Sequence, residues 1–111
     1  MAPKKYKLSY LPLFYEDLLE AVNHIRLKLK NEQAAEELLN LAELAIRERL
    51  VAPEAFETFQ SMKERKYPYY RIYVKNYIIF YVVIPNESDS NFATMEVRRF
   101  IYNRRNVKKL L

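Results

Sequence analysis

The 111-residue chain has no cysteine and no glycine, and only one histidine. The missing cysteine excludes disulfides, thiol nucleophiles and thiolate metal sites, and fits a reducing cytoplasm. The missing glycine excludes Gly-rich phosphate loops and dinucleotide fingerprints. Turns that need positive φ are therefore expected at Asn or Asp. No stretch approaches the ~20 apolar residues of a membrane span. The N-terminal lysines precede no apolar run, so no signal peptide is expected.

Half of the residues are hydrophobic. That is enough for a core without metal or disulfide support, in one domain covering residues 1–111. The net charge of +5 is unevenly spread. Residues 1–62 carry 8 Lys/Arg and 10 Asp/Glu, giving −2; residues 63–111 carry 11 and 4, giving +7. A basic C-terminal half points to nucleic acid or an acidic protein partner.

The richest run of β-branched and aromatic residues is 69–84. Lys75-Asn76 divides it into two strands and a tight turn. Tyr70, Ile72 and Val74 should face helices, while Tyr69, Arg71, Tyr73 and Lys75 line an open face. Residues 77–84 are apolar on both faces, as in a central strand.

Upstream, Tyr6, Leu8 and Tyr10 alternate along a first strand closed by Pro12. Phe14, Leu18, Ala21, Val22, Ile25 and Leu29 then keep helical spacing. Glu16 and Asp17 near the start of this helix, with Arg26, Lys28 and Lys30 near its end, complement its dipole. His24 falls on the polar side and reads as an exposed helix residue rather than a catalytic one. Asn31 is a good N-cap for a second helix carrying Ala35, Leu38, Leu39, Ala42, Ala45 and Ile46 on one stripe. The near-absence of a linker makes the two an antiparallel hairpin. Residues 51–68 lack clear periodicity: Pro53-Glu54 can open one short helical turn, with Phe56 and Phe59 tucked onto the core, and the mostly basic run 63–66 reads as a surface loop leading into the sheet.

The last strand, 92–101, places Met95, Val97, Arg99 and Ile101 on one face and Glu96, Arg98 and Phe100 on the other. Arg99 thus lies on the apolar side, where a charge is costly unless it is paired or at the rim of the sheet. The expected order is β-α-α-β-β-β. This is an α+β fold with a helical hairpin packed on one face of a mostly antiparallel sheet.

Two stretches carry a family resemblance. Tyr70-Arg71-Ile72-Tyr73-Val74-Lys75-Asn76-Tyr77 resembles the core strand pair of RelE/ParE superfamily toxins of bacterial type II toxin–antitoxin systems, the plasmid stabilisation proteins. Residues 95–106, from Met95 through Arg98, Arg99, Tyr102, Arg104 and Arg105 to Asn106, resemble that family's closing strand and tail. The resemblance implies a cytoplasmic growth inhibitor neutralised by a cognate antitoxin in a toxin–antitoxin hetero-oligomer, with no membrane partner, no cofactor and no metal.

The family has two branches. ParE-like members poison DNA gyrase without catalysis, and the helical hairpin fits this branch. RelE-like members are metal-independent endoribonucleases acting on mRNA at the ribosome. In a RelE-like member, Arg71, Arg99 and Tyr102 would be catalytic. RNA, target or antitoxin would be held by Arg71, Tyr73, Lys75, Arg98, Arg99, Arg104 and Arg105. Many members have an arginine directly after the tyrosine that matches Tyr77, and nuclease members use it at the scissile phosphate; here the position is Ile78. The gyrase reading therefore comes first, with the nuclease second. A non-toxic antitoxin-binding module of the same fold is the third alternative.

Overall fold

The computed structural model describes residues 4–59, 66–104 and 111. Two helices pack on a five-stranded mixed sheet. In chain order the elements are β1 (Lys5–Tyr10), α1 (Pro12–Asn23), a π-helical turn (His24–Lys28), α2 (Glu32–Arg49), β2 (Thr58–Phe59), β3 (Tyr69–Val74), β4 (Tyr77–Pro85) and β5 (Phe92–Tyr102). The sheet order is β1-β5-β4-β3-β2. The first strand runs parallel to the last, and the other three pairings are antiparallel.

Local sequence explains most boundaries. Pro12 occupies the first turn of α1, where its missing N–H costs nothing. Asn31 caps α2 by accepting from the Ala34 amide at 3.0 Å. Between the helices, the Leu29 amide donates to the His24 carbonyl, a five-residue bond that widens the last turn. The wider turn moves the apolar stripe by about one residue's rotation of ~100°. Phe14, Ala21 and Val22 stay buried as expected, but Leu29 is 62% exposed. The dipole pattern of the first helix also differs, because the first turn of α1 contains no acid. Its basic end lies in the π-helical turn, at Arg26 and Lys28.

The absence of glycine is met in an unexpected way. Among the described residues, positive φ falls on Lys30 (51°) and Lys75 (53°), not on Asn or Asp. Lys30 ends the first helical run, where the Asn31 amide reaches back to the Ile25 carbonyl at 3.1 Å. Lys75 opens the two-residue β3–β4 turn, which is closed by the Val74–Tyr77 pair.

Each face of the sheet carries an apolar cluster. On the helix side, Tyr70, Ile72 and Val74 join Ile79, Tyr81, Val83, Met95 and Val97 beneath α1 and α2. The other face is not simply open. Tyr69, Phe59, Ile78, Phe80, Val82, Ile101 and Leu111 form a second buried cluster. Phe59 reaches it through β2, a short strand that the aperiodic stretch 51–68 does not announce. Phe56 stays exposed under the Arg49 guanidinium instead of entering the core.

One irregularity changes the last strand. Phe80 pairs with Arg99 and Tyr81 with Val97, so Arg98 is an extra residue in β5. A bulge of this kind reverses the alternation of side chains beyond it. Met95 and Val97 face the helices, as does Phe100 after the bulge, whereas Ile101 joins the second cluster. The expected faces for Phe100 and Ile101 are therefore exchanged.

Candidate functional site

A groove of about 1130 Å³ opens where the helix–helix junction, the β3–β4 turn and the end of β5 meet. Of the residues singled out from sequence, Lys75, Arg99, Tyr102 and Arg104 line it. Arg71, Tyr73 and Arg98 do not, and Arg105 lies outside the described residues. The groove also takes in His24, Lys28 and Asp17. Its apolar walls include Leu27 and Leu29, both exposed, together with Phe100.

Arg99 is the best-held charged residue in this groove. Its Nε donates to Asp17 Oδ2 at 2.7 Å, and its Nη2 donates to Asp17 Oδ1 at 3.2 Å. Asp17 Oδ2 also accepts from the Phe100 amide at 3.0 Å. The carboxylate thus binds the guanidinium side-on and caps the edge of β5 at once. This edge is available because β1 ends at Tyr10, opposite Val97. Past that point the α1 carboxylate does what a further strand residue would do. The side chains are 24% and 13% exposed, so the pair is partly desolvated but not sealed. The Arg99 charge is balanced by a partner 82 residues away.

Lys75 was expected on the open face with Arg71 and Tyr73. At the turn it reaches Glu37 of α2 instead, at 3.0 Å. Tyr102 is half exposed and meets Tyr77 edge-on, with centroids 5.5 Å apart. Tyr77 stacks on Phe100 at 4.7 Å. Burial pushes the Tyr77 phenol up, and the neighbouring Tyr102 adds to the effect.

The remaining candidates lie on the second face. The Arg71 guanidinium sits 4.8 Å from the Phe59 ring centroid and 5.8 Å from that of Tyr73. Tyr73 itself is 57% exposed. Arg98 donates to Glu96 at 2.8 Å and lies over the Tyr69 ring. Arg71 and Arg99 share a cross-strand row through Phe80. Strands two apart are separated by about 10 Å, and these two side chains engage different partners. Arg71 is held against aromatic rings and Arg99 against Asp17.

Sequence reading placed Asp17 near the helix start as a dipole partner and His24 as a bland exposed residue. The structure puts both on the groove wall. No spacing rule links Asp17 to Arg99. The available signal was the need of Arg99 for a counter-charge. Among the described residues, no group of three or more His, Asp or Glu could hold a metal ion, and no helix is long and apolar enough to cross a membrane. Neither a scan of known protein families nor a search of curated proteins gives a match to this chain.

Proposed function

We propose that this chain is the toxin of a type II toxin–antitoxin pair. In this reading it inhibits growth by binding DNA gyrase, in the manner of ParE-like toxins, and a cognate antitoxin neutralises it in the cytoplasm. The family part of the reading rests on the two sequence stretches described above. The helical hairpin on one face of the sheet, and the parallel placement of first and last strands, are compatible with it.

The observation that carries the choice of branch is the Asp17–Arg99 pair. Metal-free RNA cleavage needs positive charge on the developing phosphorane, with an acid and a base at hand. Arg99 is neutralised by a two-point carboxylate contact, and Arg71 is turned to aromatic rings. Ile78, in the place of the family's frequent arginine, is 2% exposed within the second cluster. A protein that poisons by binding needs none of these groups to converge.

One observation favours the second reading, a ribosome-dependent mRNA endonuclease. Tyr102 shares the groove with Lys28, Lys75 and Arg104, a phenol among cations that suit an RNA phosphate.

Induction in cells followed by mapping of DNA breaks and mRNA 5′ ends separates the readings. Double-strand breaks with an SOS response and intact mRNA are expected. Codon-phased mRNA cuts at ribosomes would overturn the gyrase reading in favour of the nuclease. Tight antitoxin binding without toxicity would leave the non-toxic module.

A further inference from the structure

We infer that Arg99 and the Phe100 amide form an oxyanion cradle that Asp17 occupies from within, and that an external carboxylate or phosphoryl group can displace it. The inference concerns the purified protein and does not depend on its cellular target.

The argument begins with the donors. Three N–H groups converge on one carboxylate: Arg99 Nε, Arg99 Nη2 and the Phe100 amide. A guanidinium edge with a neighbouring backbone amide matches any planar pair of oxygens, whether carboxylate or phosphoryl. The backbone donor is available because β1 stops at the bulge, not because Asp17 creates it.

The second point is location. A purely structural pair is usually closed off by packing. Here both Asp17 and Arg99 line the groove. On its walls Lys28 and Arg104 have no ion-pair partner among the described residues. An entering oxyanion would meet Arg99 in place of Asp17 and gain these two cations as well. Release of Asp17 needs only rotation of its side chain away from β5, into the groove where water can solvate it. The electrostatic consequence is direct. While Asp17 is in place, Arg99 contributes little to the field of the groove; when Asp17 leaves, the groove gains one positive charge at its base.

The test compares wild-type protein with Asp17→Asn, Glu16→Gln, Arg99→Gln and the Asp17→Asn/Arg99→Gln double variant. The probes are tripolyphosphate and fluorescein-labelled hexaglutamate at low salt. Asp17→Asn keeps an oxygen for the Phe100 amide but gives up the negative charge. It is expected to bind at least one probe about tenfold more tightly than wild type, the better probe naming the anion class. Glu16→Gln changes net charge equally and should change binding little. The double variant has the wild-type net charge and should lose the gain. The inference is overturned if Asp17→Asn binds no tighter than wild type. It is equally overturned if Glu16→Gln or the double variant matches Asp17→Asn. Should Asp17→Asn fail to fold, wild-type protein titrated with tripolyphosphate decides by NMR. Saturable shifts of the Arg99 Nε–H and Phe100 amide resonances support displacement, and their constancy overturns it.

Discussion

Arg49, in the last turn of α2, donates from one nitrogen, Nη1, to the Tyr81 hydroxyl at 2.9 Å and to the Arg71 carbonyl at 3.1 Å. Tyr81 lies in the central strand and is fully buried; its hydroxyl donates onward to the Pro53 carbonyl at 2.7 Å. Helix, central strand and the loop after the helix are thereby tied at one point. Burial pushes the Tyr81 phenol up, while the Arg49 contact opposes the rise. Replacing Tyr81 with Phe removes the hydroxyl and strands the Pro53 carbonyl. The loss should be about 1–3 kcal/mol in urea unfolding, larger than for an exposed hydroxyl. A loss below about 0.5 kcal/mol would show that water replaces the contact and that the tie is incidental.

Asp17 joins α1 to β5 by a charged pair and a backbone cap. Asp17→Ala leaves a partly buried guanidinium and an uncapped amide. It should lower stability by about 2–3 kcal/mol, whereas Asp17→Asn, which retains one acceptor, should cost less. Equal costs for the two variants would mean that charge, not the cap, dominates the junction.

The β1 start is fastened differently. The Tyr6 hydroxyl donates to Glu54 at 2.6 Å, and Lys4 adds an ion pair to the same oxygen at 3.1 Å. Burial, then the Glu54 contact, pushes the Tyr6 phenol up to about 12, while the Tyr6 hydrogen bond holds the Glu54 carboxyl below its usual range. The signs follow by linkage. Glu54 contributes stability above its ordinary pKa of 4.5, and this is lost as the pH falls through its lower folded value. Tyr6 acts at the other end. Its contribution is complete below pH 10 and is lost as the pH rises to about 12. Stability measured from pH 2 to 12 should therefore fall less steeply at both ends in Tyr6→Phe than in wild type. Parallel curves would remove Tyr6 and Glu54 as the titrating pair.

The parts of the fold legible in the sequence are those set by local period and capping. Phe14, Ala21 and Val22 lie at helical spacing, Asn31 at a cap, and Tyr70, Ile72 and Val74 at strand alternation; all fall as expected. What failed was anything decided by a single inserted residue. The bulge at Arg98 exchanged the faces of Phe100 and Ile101, and the π-helical turn released Leu29. Neither leaves a mark in composition, because each depends on how distant strands and helices pack. Positive φ at Lys75 shows the same point. A tight hairpin demanded that conformation from whatever residue stood there, and the ion pair to Glu37 gives the lysine a use. For the candidate site, Arg99 was recognisable as a charge needing a partner. Asp17 was not recognisable as that partner, since the contact spans 82 positions.

Ile78 offers the most direct test of the choice between target binding and RNA cleavage. The proposed resemblance places an arginine here in its nuclease branch, so Ile78→Arg introduces the residue that this resemblance expects. In this chain the side chain is 2% exposed and packs in the second cluster with Phe80, Val82 and Ile101. A guanidinium there has no described carboxylate in its cluster to balance it, so the substitution should cost more than about 4 kcal/mol and yield little folded protein. Ile78→Val, which only trims the packing, should cost about 1 kcal/mol and, on the proposed function, leave growth inhibition unchanged. Circular dichroism and thermal melting distinguish the two variants before any activity is assayed. If Ile78→Arg instead melts like wild type and cuts mRNA on ribosomes, the second face is an RNA site lacking one cation, and the gyrase reading falls.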